Sequence, residues 1–103
     1  MNTQIFNEIQ ALKRQILPNE RVILFGSQAR GDAREDSDWD LLVLLNKENK
    51  TFDDEDAYGY PFAEMGLKYK TYISVKIYTE NDWKSRKPTP FYKNVEQEGI
   101  MIV

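Results

Sequence analysis

The sequence predicts a small α/β domain of the α+β kind, with a mixed sheet of three to four strands and helices packed mainly on one face. Three observations point to it. Two short apolar runs, Val22-Ile23-Leu24-Phe25 and Leu41-Leu42-Val43-Leu44-Leu45, have no helical spacing and suit buried strands. A third segment, Thr71 to Thr79, alternates, with Ile73, Val75 and Ile77 on one side and Tyr72, Ser74, Lys76 and Tyr78 on the other, the period of a strand. Segments of helical period flank these strands on either side in the sequence.

Each element has its own signals. Ile5, Phe6, Ile9, Leu12 and Ile16 recur at helical spacing, with Asn2 or Thr3 placed to cap the start and Pro18-Asn19 to end it. Arg21 to Phe25 is the first strand. Gly26-Ser27 turns the chain into a short helix through Arg30. Trp39 to Leu45 is the second strand, and Asn46 to Lys50 is a polar loop. The acidic run Asp53 to Asp56 suits a helix start, where the backbone dipole favours negative charge. That helix reaches about Tyr69, with Phe62, Met65 and Tyr69 on one face, and Gly59 and Pro61 weaken its middle. After the third strand, Asn81 can cap a short helix through Arg86, which Pro88 stops. Thr89 and Pro90 begin the last helix and Gly99 closes it. Ile100 to Val103 is an apolar tail expected to dock on the body or on a partner.

Composition narrows the chemistry. The 103 residues, 41% hydrophobic and 30% charged, suit one folded domain spanning 1–103. The net charge of -3 argues against a basic nucleic-acid-binding surface. There is no cysteine and no histidine, so disulfides, thiolate metal sites and imidazole acid-base catalysis are excluded. No apolar stretch reaches membrane-spanning length and no signal-like segment opens the sequence. A cytoplasmic chain without a membrane partner is expected.

The densest signal lies between the first two strands, in Gly26-Ser27-Gln28-Ala29-Arg30-Gly31-Asp32-Ala33-Arg34-Glu35-Asp36-Ser37-Asp38-Trp39-Asp40. Asp38 and Asp40 are two apart, so a strand points both carboxylates to one face. Two such anions repel, and one tends to take up a proton unless a cation joins them. Mg²⁺ fits, because it takes carboxylate oxygens and shares its shell with substrate phosphates. Gly26 lets a phosphate approach the backbone, and the amides of a helix start favour an anion. The pattern suggests a nucleoside triphosphate held by the turn, with its metal on the aspartates. Arg30 and Ser37 are further candidates for nucleotide binding. For both a local role is the alternative: ion pairing with Asp32, Glu35 or Asp36 for Arg30, and a loop hydroxyl for Ser37. Trp39 faces away from the aspartates and belongs to the core.

Gly-Ser followed by Asp-hydrophobic-Asp, set between two apolar runs, resembles the nucleotidyltransferase superfamily of DNA polymerase beta type. The Arg30 to Arg34 filling, with Ser37 before the first acid, is similar to the minimal nucleotidyltransferases of HEPN toxin-antitoxin pairs. The resemblance implies transfer of a nucleoside monophosphate, AMP from ATP, to a hydroxyl acceptor, a tyrosine of a HEPN-type toxin, with Mg²⁺ required. On that reading Asp38 and Asp40 are catalytic and hold the metal, Gly26 and Ser27 hold phosphates, and the chain is an antitoxin. The resemblance also implies a third carboxylate on the neighbouring strand. The third strand offers Tyr72, Ser74, Lys76 and Tyr78 there, so a single metal is expected. Glu64 or the 53–56 run could supply an acid from elsewhere. The missing acid also admits a different function, a binding module that keeps the fold and neutralises its partner by docking. A small-molecule transferase of the aminoglycoside-modifying kind ranks last, since the chain lacks room for an acceptor-binding domain.

Overall fold

The computed structural model describes residues 1–103. Asn2 caps the first helix, α1 (Thr3–Ile16): its side-chain oxygen accepts the amides of Gln4 at 2.9 Å and Ile5 at 3.2 Å. Its apolar stripe buries Ile5 and Ile9, as the spacing requires. After Pro18 the chain enters β1 (Arg21–Phe25). A short helix, α2 (Ser27–Arg30), and a charged loop lead to β2 (Trp39–Leu45), which runs antiparallel to β1.

The crossover to β3 (Ile73–Thr79) contains helix α3 (Phe52–Asp54), a wide π-type turn (Glu55–Gly59) and α4 (Tyr60–Lys68). Proline explains the wide turn. Pro61 has no amide to donate, and its ring would clash with the carbonyl four residues back. The backbone widens instead, and the Tyr60 amide reaches the Glu55 carbonyl. β3 lies parallel to β2. Helices α5 (Glu80–Ser85) and α6 (Pro90–Glu98) follow, then β4 (Ile100–Met101) pairs antiparallel with β1. The sheet order is β3-β2-β1-β4. The apolar tail thus docks on the body as the fourth strand, and Ile102 is buried behind it.

The two faces of the sheet are unequal. On one, Val22, Leu24, Trp39, Leu41, Val43, Ile73 and Ile77 meet α1 and α4 in the larger core. On the other, a smaller cluster of Ile23, Leu42, Leu44, Trp83 and Val95 lies under α5 and α6. This second layer covers only part of its face. Beyond it lie Asp40, Ser74 and Lys76, on strands whose alternation sends them to that side.

Two caps differ from the sequence expectation. Thr79, not Asn81, caps α5: it ends β3 with an extended backbone, and its hydroxyl accepts the Asp82 amide at 3.0 Å. Gly99 closes α6 with φ -66° rather than a left-handed turn. Glycine is needed there for space, because a Cβ would stand 2.5 Å from both Ile23 Cγ2 and the Val95 carbonyl oxygen.

The acidic run does start a helix. Asp54 accepts the Thr51 amide at 2.7 Å and holds Lys47 at 3.1 Å. These bonds, the backbone one foremost, hold the Asp54 carboxyl below its ordinary range. A lowered folded pKa means that the contribution is complete above the unfolded value and fades as pH falls through the folded one. Asp54→Ala is expected to cost about 1–2 kcal/mol at neutral pH. Urea titrations at successively lower pH should show the wild type and the variant converging.

Candidate active site

β1 delivers the chain to Gly26, whose φ of 76° and ψ of -159° lie where side chains are strained. Space excludes them as well: a Cβ here would stand 2.5 Å from Asp40 Oδ2. The strand register accounts for the closeness, since Phe25 lies opposite Asp40 across the β1–β2 ladder. The two halves of the sequence motif, far apart in the loop, therefore touch.

From Gly26 the chain winds directly into α2. The Gly26 carbonyl accepts the Ala29 amide at 3.1 Å and the Arg30 amide at 3.0 Å. The amides at the helix start have no intrahelical acceptor, which leaves those of Ser27 and Gln28 free of helical partners just after Gly26. Gly31, at φ 83°, ends the turn. The loop that follows is pinned from below. The buried Gln28 side chain donates to the Ser37 carbonyl at 3.3 Å, and the Ser37 hydroxyl accepts the Arg34 amide at 2.8 Å. Ser37 keeps its hydroxyl proton for donation. Trp39, 2% exposed, anchors the strand in the larger core, and its amide donates to the Tyr72 carbonyl at 2.9 Å.

Asp38 is exposed and Asp40 half-buried, on the same side of the strand. Neither forms an ion pair within the protein. Burial and then the neighbouring Asp38 charge push the Asp40 carboxyl above its ordinary range, while Lys76 and Arg30 partly offset the rise. Arg30 pairs with Asp32 at 3.4 Å and Glu98 at 3.9 Å. It flanks a cleft of about 230 Å³ that continues along Phe25, Gly26, Phe91 and Asn94.

No third carboxylate completes the pair. Ser74 lies opposite Asp40 and Lys76 opposite Leu42 on β3, and no cluster of three His, Cys, Asp or Glu forms anywhere. The acids considered from elsewhere in the sequence do not fill the place. Glu64 lines a groove between α1 and α4, on the opposite side of the sheet. Asp54 is bound to Lys47 and Glu55 to Lys50. The sequence reading missed Gln28 and the contribution of α6. Gln28 carries no local signal, because its burial follows from the loop folding back over it.

A raised folded pKa has a direct consequence for stability. Charging Asp40 is harder in the folded chain than in the unfolded one, so the cost is present above the folded pKa and vanishes below the unfolded value. In metal-free buffer at neutral pH, Asp40→Asn should raise Tm by a few degrees, and the gain should disappear in acid. Gly26→Ala should lower Tm, because it adds strain and displaces the Asp40 carboxylate. Thermal scans of both variants against wild type check the two signs.

A family model described as the nucleotidyltransferase domain matches residues 5–102. The chain is 40% identical over 83 residues to "Putative protein adenylyltransferase MJ0141" of Methanocaldococcus jannaschii, covering 81% of this chain and 78% of the relative. A second protein of that organism, "Putative protein adenylyltransferase MJ0604", is 32% identical over 83 residues, with 81% and 77% covered. Among solved structures, the chain resembles one from "Crystal structure of the toxin-antitoxin with AMP-PNP", with TM-score 0.64, 20% identity, and 100% of this chain and 73% of that one covered. It also resembles "a putative nucleotidyltransferase from Sulfolobus solfataricus", with TM-score 0.54, 22% identity, and 96% and 83% covered. At such identities the structural likeness speaks for the fold. The family match runs from α1 through all four strands and takes in the turn and the acidic pair, so this chain belongs to the nucleotidyltransferase domain family, of the minimal type its sequence resembles.

Proposed function

We propose that this chain transfers AMP from ATP to a tyrosine hydroxyl of a HEPN-type toxin and acts as its antitoxin, as one cytoplasmic domain. The observation that carries the reading is the Asp40 carboxylate seated on the Gly26 backbone with Asp38 beside it. That juxtaposition supports a metal held by the acidic pair and a phosphate held by the turn amides. The M. jannaschii relatives bear the name protein adenylyltransferase, which supports a protein acceptor. A toxin-antitoxin structure with AMP-PNP among the neighbours supports an adenine nucleotide and a toxin partner. No helix is long and apolar enough to cross a membrane.

The donor set fits magnesium. Two hard carboxylates stand at the head of β2 with no ion pair to either, and burial and mutual repulsion, only partly offset by Lys76 and Arg30, make Asp40 costly to keep charged. Asp38 and Asp40 would hold the ion, which when bound supplies neutralisation of the phosphate charge. The amides of Ser27 and Gln28, the Arg30 guanidinium and the Ser37 hydroxyl would hold the leaving pyrophosphate. The acceptor oxygen bonds to the α-phosphorus. The bond from that phosphorus to the bridging oxygen breaks, pyrophosphate leaves with the electron pair, and the hydroxyl proton passes to water. Catalysis is then positioning and charge compensation.

A second reading keeps the fold for docking alone. Ser74 opposite Asp40, where the resemblance implies a third acid, favours it. One experiment separates the two. With labelled ATP, Mg²⁺ and the candidate toxin, the wild type should label the toxin, and Asp38→Asn or Asp40→Asn should cut the rate about 100-fold or more. Tight complex formation without label, unchanged in both variants, would establish the docking module instead.

A further inference from the structure

The third strand carries a cation next on the same face to Ser74, which stands where the resemblance implies an acid. Lys76 lies opposite Leu42, one step along from the Ser74–Asp40 pair, and alternation puts all four on one sheet face. Two residues along a strand advance about 6.6 Å and neighbouring strands lie about 4.8 Å apart, a diagonal that a long side chain can span. Lys76 is exposed and forms no ion pair, and no side-chain hydrogen bond ties it down. In the other direction along the strand the face is already occupied by a cation and aromatic rings. Tyr78, next on that face, has the Arg86 guanidinium 4.5 Å from its ring centre and packs against buried Trp83. A second positive charge there is repelled, whereas Asp40 attracts the ammonium, which partly offsets its charge. Arg30 approaches Asp40 from the β1 side but is held by Asp32 and Glu98. Lys76 is the unengaged cation of the pair.

Charge balance gives this placement a meaning. Three carboxylates with two divalent ions carry a net single positive charge. Two carboxylates with one divalent ion and one ammonium carry the same. We infer that Lys76 is a substrate-binding cation of this site, contacting the triphosphate beside the reacting phosphorus in the place of a second divalent ion, so that nucleotide binds with one divalent ion per chain. The inference rests on the nucleotide reading of Asp38 and Asp40 and adds a residue and a stoichiometry to it. An ammonium acts as a point charge and needs no aligned fork, so arginine should substitute for it in binding.

Equilibrium binding to the full chain tests it, with ATP plus Mg²⁺ and adenosine as probes and Mn²⁺ counted by electron paramagnetic resonance. Lys76→Gln should weaken ATP binding about ten-fold and leave adenosine binding unchanged, while Lys76→Arg should stay within about three-fold of wild type. The wild type should hold one Mn²⁺ per chain at saturating ATP. Wild-type ATP affinity in Lys76→Gln, or two Mn²⁺ ions per chain, overturns the inference. If affinity still depends on Asp38 and Asp40 in that case, the nucleotide reading stands without Lys76. Failure of the wild type to bind ATP overturns both.

Discussion

The contact between the Asp40 carboxylate and the bare Gly26 backbone constrains everything around it. It requires an antiparallel β1–β2 ladder in the one register that sets Phe25 opposite Asp40. It requires a residue without a side chain at the end of β1. It also requires a loop short and well pinned enough to bring Asp38 back to the same face. Gln28 meets the last condition from inside the turn, and Trp39 meets it from the core. A fully buried tryptophan removes roughly 150–250 Å² from water, an upper estimate of about 4–6 kcal/mol. Repulsion between two unit charges near a protein surface reaches about 4 kcal/mol only at contact distance and falls beyond it. The anchor is therefore strong enough to keep two like charges on one short strand.

The smaller aromatic layer shapes the other boundary of the site. Trp83 meets Tyr78, Phe91 and Tyr92, and its indole donates to Glu96 at 2.8 Å. Arg21 joins Glu80 and Glu96 at the far end of that layer. These contacts hold α6 against β1, and α6 in turn offers Glu98 to Arg30. The guanidinium is thus aimed by an element remote in sequence. The layer stops short of Asp40, which leaves the acidic pair open between a packed wall and solvent.

Much of this was legible in the sequence, and the rest was not for identifiable reasons. The three long strands, Asn2 and Thr89 as caps, and the helix start at Asp54 follow from local rules: alternation, side-chain hydrogen bonds to free amides, and dipole complementarity. The Gly-Ser and Asp-Trp-Asp segments carried the family because a bare turn and paired acids, in that order between two buried strands, are costly to hold together without a ligand. Thr79 displaced Asn81 as a cap because the end of β3 had already set the extended backbone a cap needs. Gln28 and the pairing of Arg30 with Glu98 depend on contacts between segments that no periodicity links. The interruption at Gly59 and Pro61 was visible, but its form was not. Pro61 removes a donor from the ladder, and the chain there widens into one loose turn and carries on as α4.

Gly99 shows how little room the closing strand has. Its torsions are open to any residue, yet the methyl of Ile23 and the last turn of α6 leave no volume for even one carbon. An alanine there would act as a wedge, prising β4 from β1 and loosening Ile102 from its seat in the larger core. Replacement at this position is therefore opposed by steric exclusion and not by backbone geometry, so a half-buried glycine near the last strand carries a packing constraint of the kind usually met in a core.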